Sequence, residues 1–207
     1  GLCNREAVEF CIENGREAIS WLEDCGVVFT KNKKNSDLHL TQEGGHSFRR
    51  VVHADDATGR EVSDSLAAKV LRNKNISILE NHLAVDLIVK NKKCFGAYVF
   101  NKSKENVLTI SAGAVILATG GASKAYLYTS NPDGASGDGY ALAWRAGCRL
   151  ENMEFNQFHP TCLFHPEAKS FLISEALRGE GAILKTLSGV PFMKKYNSKG
   201  DLASRDI

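Results

Sequence analysis

The 207-residue sequence lacks any apolar run long enough to span a bilayer, and its start has neither a signal-peptide core nor an Arg-rich transit pattern. Its six cysteines are scattered without a Cys-x-x-Cys pair, which argues against zinc and favours reduced thiols. A formal net charge of only +2 is too weak to indicate an acidic partner. We therefore expect a cytoplasmic protein that binds no metal, no nucleic acid and no membrane.

The composition is that of a globular protein, with 43% hydrophobic and 24% charged residues. The basic cluster "KNKKN" (31–35) lies between periodic segments and is typical of a solvated loop. A helical pattern starts almost at Gly1, which is not an initiator methionine, and the sequence stops at "ASRDI", where another helix would begin. We expect this chain to be an interior piece of a longer protein.

The spacing of apolar residues predicts two helical regions, 58–72 and 5–24, the latter as two short helices or as one helix broken near Gly15. A short buried strand is expected at 26–29, and a polar, glycine-rich loop at 41–50. Four β-rich runs with short polar connections then predict a meander of hairpins over 76–81, 83–89, 94–100 and 106–113.

Two glycine motifs follow the meander. The apolar run "AVILATGG" (114–121) predicts a parallel strand buried on both faces, which ends in Thr119, Gly120 and Gly121. Glycines at the carboxyl end of such a strand let a ligand approach the backbone, although a tight turn without a ligand explains an isolated motif equally well. In "SGDGYALAWRAG", Asp138 precedes a helix expected over 137–147, where it would cap that helix or accept hydrogen bonds from cofactor hydroxyl groups.

Together with the meander, these motifs resemble the flavoprotein family of succinate dehydrogenase and fumarate reductase. Three further motifs, "FNQFHPT", "SEALRGEGA" and "ASRD", extend the likeness toward residue 207. The resemblance implies an α/β fold: over 1–150, part of a Rossmann-like FAD-binding domain with a β-meander insertion, and over 151–207, part of an α+β capping domain. It also implies FAD as the cofactor.

Within this family, the L-aspartate oxidases are the nearest likeness. Glu43 precedes the glycine pair of "EGGHSFRRVVHADDATGRE", and the additional stretch "FHPEAK" separates His159 from Glu175. The likeness implies an intact enzyme that oxidises L-aspartate to iminoaspartate with non-covalent FAD, and then uses O2 or fumarate as acceptor. Its product would enter quinolinate and NAD synthesis, so quinolinate synthase is a candidate partner.

The resemblance further implies roles for individual side chains. His159 would bind a substrate carboxylate, and the Ser174 hydroxyl would hydrogen-bond to the substrate. Arg205 would donate and accept a proton, which is demanding because a guanidinium normally keeps its proton far above neutral pH. Glu175 and Arg178 would form the proton relay to it. The structural alternatives are a loop histidine bonded to backbone for His159, and a surface ion pair for Glu175 and Arg178.

Glu43 would favour L-aspartate over succinate, because its carboxylate attracts an ammonium group and repels a third negative charge. An exposed loop glutamate is the alternative. His165, in the additional stretch, matches no family role and lacks the further ligands that a metal site needs. Asp206 would orient Arg205 or cap the following helix.

The expected cofactor contacts come from both glycine motifs and from one strand: Thr119, Gly120, Gly121, Asp138 and the backbone of Ala84. The family's GxGxxG loop would precede Gly1, and its second substrate histidine and arginine would follow Ile207. We therefore expect the 207-residue chain alone to be inactive and to bind FAD weakly or not at all. Two rival interpretations are a flavoprotein subunit of succinate dehydrogenase or fumarate reductase, and a non-catalytic fragment or part of a split protein.

Overall fold

The computed structural model describes residues 3–167, 170–205 and 207. These residues form two compact units, one within Gly1–Ile78 and Glu175–Ile207, the other within Leu79–Ser174. The first unit therefore joins segments that are far apart along the chain. The domain division at residue 150 stays a prediction, and Asp206 lies outside the described residues.

The first unit begins with a long amphipathic helix, α1 (Arg5–Asp24). The Asn4 side chain caps its N-terminus by accepting a hydrogen bond from the Ala7 N–H at 3.0 Å. The helix passes through Gly15 without interruption, so the predicted break is wrong. One glycine costs a helix only about 1 kcal/mol, which the good helix formers on either side offset.

The second helix, α2 (Thr58–Leu71), confirms the helix predicted at 58–72. The strand predicted at 26–29 is wrong, because this segment pairs with no described strand. Its burial nevertheless alternates as in a strand, since Val27 and Phe29 are buried and Val28 is 72% exposed. Residues 27–30 have no assigned secondary structure and belong to no ladder of the described residues. Two of them donate an N–H to distant segments, Thr30 to the His53 carbonyl oxygen at 2.8 Å and Val28 to the Glu61 carboxylate of α2 at 3.0 Å.

A glycine-rich loop spans 42–50, which confirms the loop predicted at 41–50. It is closed at its base by two short antiparallel strands, β1 (Leu40–Thr41) and β2 (Val51–Val52). Among the described residues after Glu175, this unit contains one helical turn, α4 (Ala176–Gly179), and two 3₁₀ turns, Met193–Lys195 and Gly200–Leu202, joined by irregular segments.

The second unit contains the predicted meander, formed by β3 (His82–Lys90), β4 (Lys93–Asn101) and β5 (Asn106–Ser111) in antiparallel order. The β3–β4 hairpin turns at Asn91 and Lys92, both at positive φ (51° and 60°), as the favoured two-residue turn requires. The strand predicted at 76–81 is wrong, because residues 76–79 have no assigned secondary structure and residues 80–81 form a turn.

The parallel strand predicted at 114–121 is also wrong. The segment has no assigned secondary structure, no described strand pairs with it, and Ile116 is 89% exposed. A parallel strand exists only where neighbouring strands complete its hydrogen bonds, and the described sheets are all antiparallel. The apolar run shows that these residues favour burial, but it does not provide the neighbouring strands that a parallel sheet needs.

Helix α3 (Asp138–Arg145) confirms the helix predicted at 137–147 and is held against β3. Its Arg145 donates to the Asp86 carboxylate at 3.1 Å and to the Val85 carbonyl oxygen at 2.9 Å. A 3₁₀ turn (Ser123–Ala125) precedes α3, and the short antiparallel strands β6 (Cys162–Leu163) and β7 (Phe171–Leu172) follow it. None of the described helices combines the length and apolarity that a membrane crossing needs.

The meander depends on Gly96, which lies in β4 at a φ of +142°. A Cβ atom at this position would stand 1.8 Å from the Ile110 carbonyl oxygen of β5. We expect Gly96→Ala to separate β4 from β5 and to destabilise the full-length gene product by about 2 kcal/mol or more in thermal unfolding. The matched control is Gly113→Ala, whose added Cβ meets no described atom within 4 Å. Equal losses in both variants would contradict this explanation.

Candidate functional site

A buried carboxylate between two guanidinium groups forms the centre of the first unit. The Glu175 side chain is 3% exposed, and its Oε1 atom accepts from Arg178 Nη2 at 2.7 Å. Its Oε2 atom accepts from Arg205 Nη2 at 2.5 Å. The structure thus brings the three predicted catalytic residues together, and the alternative of a surface ion pair is wrong. Arg205 is the more accessible of the two arginines, with a side chain that is 31% exposed against 7% for Arg178.

Arg178 is held from two sides. It lies in α4 one turn after Glu175, and this spacing places the two side chains on one face. Its Nη1 atom donates to the Asp201 carbonyl oxygen at 3.0 Å, while its buried Nε atom has no hydrogen-bond partner within the described part of the chain. Asp201 also accepts from the Leu184 N–H at 2.8 Å. Sequence reasoning missed Asp201, because the contact to Arg178 uses its backbone and leaves no side-chain signal.

The loop that carries Glu43 packs against this cluster through two glycines. A Cβ atom on Gly44 would lie 3.4 Å from Arg178 Nη2 and 3.4 Å from the Ala203 carbonyl oxygen. The Gly45 N–H donates to the Leu202 carbonyl oxygen at 3.0 Å. The loop backbone therefore lies directly against both Arg178 and the segment that leads to Arg205.

Glu43 itself is half-buried, and its carboxylate makes no hydrogen bond or ion pair with the described residues. Its backbone is fixed within the loop, since the His46 N–H donates to the Glu43 carbonyl oxygen at 3.2 Å. Gln42 Nε2 donates to the His46 carbonyl oxygen at 2.6 Å. An unpaired carboxylate on a braced loop is suited to receive a cationic group.

A second connection joins the loop to the end of α4. The Arg49 guanidinium pairs with the Glu180 carboxylate through two contacts, Nη1–Oε1 at 2.9 Å and Nη2–Oε2 at 3.1 Å. The hydrogen bond from Arg49 lowers the pKa of Glu180, and the same bond raises the pKa of Arg49. Gly179 approaches the loop so closely that a Cβ atom would lie 1.9 Å from the Gln42 carbonyl oxygen. The sequence analysis predicted a loop over 41–50, which includes Arg49, but it assigned no partner to Arg49 and missed Glu180.

The second unit contains His159 and Ser174. The His159 Nδ1 atom lies 2.8 Å from the Thr161 carbonyl oxygen and 3.2 Å from the Thr161 nitrogen. This is the backbone contact expected of a loop histidine, and it leaves Nε2 as the ring atom for another partner. His159 borders a cavity of about 100 Å³ that is lined by hydroxyl and amide groups, including those of Tyr126, Asn131 and Asn156. Ser174 is exposed and directly precedes Glu175 in the chain.

His165 is exposed and accepts the Glu167 N–H at its Nδ1 atom, at 3.2 Å. Within residues 3–167, 170–205 and 207, no group of three or more His, Cys, Asp or Glu side chains is placed to hold a metal ion.

The two glycine motifs of the second unit meet at the start of α3. A Cβ atom on Gly139 would stand 1.9 Å from Thr119 Oγ1, and the Gly137 N–H donates to the Gly121 carbonyl oxygen at 3.2 Å. Gly120 and Gly137 both adopt positive φ, 75° and 85°. The glycines thus let two backbone segments pass in contact beside a helix N-terminus.

Asp138 is the first residue of α3, and its cap is Gly137, without a side-chain cap hydrogen bond. The prediction that Asp138 caps the helix is therefore wrong, because the cap lies one residue earlier. Its exposed carboxylate stays available for a hydroxyl donor such as a ribose. Ala84 lies in β3, where it pairs with Val99 of β4. It precedes Val85, whose carbonyl oxygen accepts a hydrogen bond from Arg145 of α3.

Close-packed glycines and an available carboxylate at a helix N-terminus are features of a domain that binds a nucleotide cofactor. The chain belongs to the FAD binding domain family, whose model matches residues 1–207. The glycine contacts at Thr119–Gly121 and Gly137–Gly139 fit this cofactor, since they expose backbone where a bulky side chain would exclude it.

The chain is also similar over its whole length to curated proteins named L-aspartate oxidase. It is 54% identical to the L-aspartate oxidase of Pseudomonas aeruginosa over 219 residues, which cover 100% of this chain and 41% of the relative. It is 55% identical to the L-aspartate oxidase of Yersinia pestis over 217 residues, with the same two coverages. The chain therefore spans about two fifths of the length of these relatives.

Solved structures support the same fold. The structure described as quinol-fumarate reductase with menaquinol molecules matches with a TM-score of 0.90 at 28% identity, over 99% of this chain and 37% of that one. The predicted fold class, the FAD-binding domain of the succinate dehydrogenase and fumarate reductase flavoproteins, is confirmed, and so is FAD as the family's cofactor.

The contact between Gly139 and Thr119 is open to a direct test. Gly139→Ala would force the Thr119 side chain away, because Oγ1, Cβ and Cγ2 would all lie within 3.3 Å of the new methyl group. We expect FAD affinity in the full-length gene product to fall by about tenfold or more, or roughly 1.4 kcal/mol, in equilibrium flavin binding. The control Gly134→Ala, with no described atom within 4 Å of the added Cβ, should retain its flavin. Normal affinity in Gly139→Ala would remove these glycines from the FAD site.

Proposed function

We propose that this chain is part of an FAD-dependent L-aspartate oxidase, an enzyme that converts L-aspartate to iminoaspartate. The observation that carries the proposal is the buried Glu175 carboxylate between Arg178 and Arg205, with the Glu43 loop packed against it. The relatives named L-aspartate oxidase support the choice of substrate. Because the chain spans 41% of those relatives, the activity is proposed for the complete protein.

In this reaction the Cα–H bond of L-aspartate breaks, the α-ammonium group loses protons, and a C=N bond forms. FAD, when bound, supplies the acceptor for the hydride. Arg205 exchanges a proton at the substrate, and Glu175 carries that proton between Arg205 and Arg178 over contacts of 2.5 and 2.7 Å. A guanidinium can serve in this way only beside other cations and a carboxylate that takes up its proton, and this cluster has that composition.

Glu43 selects the substrate. Its unpaired carboxylate, on a loop that packs against Arg178, attracts the α-ammonium group of L-aspartate. Succinate lacks this group and offers only two carboxylates, which Glu43 repels. The arginines supply the opposite charge for the substrate's carboxylates, so that the site distinguishes one amino acid from its simple dicarboxylate analogue.

The remaining expected residues complete the proposal. His159 binds a substrate carboxylate through Nε2, because its Nδ1 atom is held by Thr161, and Ser174 adds a hydroxyl donor. The non-covalent FAD would be held by Thr119, Gly120, Gly121, Asp138 and the Ala84 backbone. O2 or fumarate would be the final electron acceptor, and iminoaspartate would be consumed in quinolinate synthesis, with quinolinate synthase as candidate partner. Six free thiols suit a cytoplasmic location.

Anaerobic reduction of the bound flavin tests this function directly. L-Aspartate and succinate would be added separately to the full-length gene product while the flavin absorbance is followed. We expect bleaching by L-aspartate and none by succinate, because only the amino acid carries the ammonium group that Glu43 recognises. Bleaching by succinate alone would move the protein to the dicarboxylate branch, and a protein without bound flavin would favour a non-catalytic role.

Substitution of Glu43 tests substrate selection. Glu43→Gln keeps the side-chain volume but removes the negative charge. We expect kcat/KM for L-aspartate to fall by about 10- to 100-fold, or roughly 1.4 to 2.7 kcal/mol, with unchanged flavin content. Succinate should become a tighter inhibitor, because the repulsion is lost. The control Glu17→Gln, on the exposed surface of α1, should leave both values unchanged. Unaltered discrimination in Glu43→Gln would exclude this role.

A further inference from the structure

The ion pair between Arg49 and Glu180 connects three segments of the first unit. Each terminal guanidinium nitrogen of Arg49 contacts one carboxylate oxygen of Glu180, Nη1 to Oε1 at 2.9 Å and Nη2 to Oε2 at 3.1 Å. Arg49 Nη1 also donates to the Leu40 carbonyl oxygen at 3.2 Å. Arg49 lies near the end of the Glu43 loop. Its side chain contacts both the strand that enters this loop, at Leu40, and the residue that follows α4, Glu180.

The same loop meets α4 at a point where no side chain fits. A Cβ atom on Gly179 would lie 1.9 Å from the Gln42 carbonyl oxygen and 3.6 Å from the Glu43 Cα atom. The residue next to Glu43 is therefore in backbone contact with the helix that carries Arg178. Any shift of the loop away from α4 would move Glu43 relative to Glu175 and Arg178.

Stability alone does not account for this ion pair. The Arg49 and Glu180 side chains are 46% and 50% exposed, and exposed pairs contribute little to folding. A two-contact arginine–carboxylate pair does, however, fix the relative orientation of the segments that it joins. The glycine contact prevents the loop from moving closer, and the ion pair prevents it from moving away.

We propose that the Arg49–Glu180 ion pair is a positioning device that holds the Glu43 loop against α4, and that it thereby sets the affinity for the α-ammonium group of L-aspartate. This inference rests on the proposed function for its substrate, and on the contacts of the first unit for its geometry. Arg49 and Glu180 act through Glu43 and are positioning residues.

We expect a fall in pH to weaken the Arg49–Glu180 ion pair by protonating Glu180. The hydrogen bond from Arg49 lowers the pKa of Glu180, so the ion pair is complete above the ordinary pKa of a glutamate and is lost as pH falls through the lowered value. The other groups that act on Glu180 are His39 and His53, which also lower its pKa when charged. At neutral pH the carboxylate is ionised, and the pair is present during turnover.

The test compares Arg49→Lys with Arg50→Lys in the full-length gene product. Lysine keeps the charge at position 49 but cannot make the two-contact pair. The control changes the adjacent exposed arginine of the same loop, whose backbone N–H, at 3.0 Å from the Thr41 carbonyl oxygen, is unaffected. We expect Arg49→Lys to raise KM for L-aspartate by about fivefold with kcat changed less than twofold, whereas Arg50→Lys matches the unmodified protein.

Amide hydrogen exchange gives a second readout that does not depend on activity. The Gly45 and His46 amides, bonded to Leu202 and Glu43, report on the loop. They should exchange faster in Arg49→Lys and in Glu180→Gln but not in Arg50→Lys, and the charge exchange of Arg49→Glu with Glu180→Arg should restore much of the protection. Below the lowered pKa of Glu180, the unmodified protein should approach the exchange rates of Glu180→Gln.

Each result bears on one part of the inference. Faster exchange together with a higher KM supports it. Unchanged exchange in Arg49→Lys overturns it whatever the activity, and faster exchange with an unchanged KM overturns the link to the substrate. If the unmodified protein is reduced by succinate instead of L-aspartate, the proposed function is wrong, and the role in ammonium recognition fails with it. Exchange would then decide only whether the ion pair holds the loop.

Discussion

The buried carboxylate of Glu175, paired with two guanidinium groups, is the interaction on which the first unit depends. A carboxylate that is 3% exposed is stable only with compensating charge, and Arg178 and Arg205 supply it from opposite sides. Arg178 is in turn held by the Asp201 backbone. The requirement to neutralise one buried charge therefore brings α4, the Gly200–Leu202 turn and the segment ending at Arg205 into one cluster.

Glycine contacts complete this arrangement and recur in the other unit. Gly44 and Gly179 bring the Glu43 loop against Arg178 and α4, while Gly139 brings α3 against Thr119. In each case a Cβ atom would meet a neighbour at 3.4 Å or less. Glycine is required where two backbones must approach, and in this chain those approaches lie beside the residues expected to bind substrate or cofactor.

Local features of the chain were predictable, and features that need distant partners were not. Helix α2, the loop at 42–50 and the three-stranded meander depend on neighbouring residues, and periodicity and turn residues identified them. The strands expected at 26–29, 76–81 and 114–121 have the right composition but no described ladder, because a strand needs a second segment to bond to. Helix α1 crossed Gly15 since neighbouring helix formers outweigh one glycine.

Sequence alone identified the candidate residues for the chemistry: the Glu175 and Arg178 pair at helical spacing, the arginine at 205, the acidic residue before two glycines, and the glycine motifs expected of an FAD-binding domain. Only the tertiary structure decided that Glu175 is buried, that Arg205 reaches its second oxygen, and that Arg49 pairs with Glu180. Spacing within one helical turn is a local property, whereas a contact across 131 residues depends on the path of the whole chain. Burial and charge pairing are therefore consequences of folding that no single motif contains.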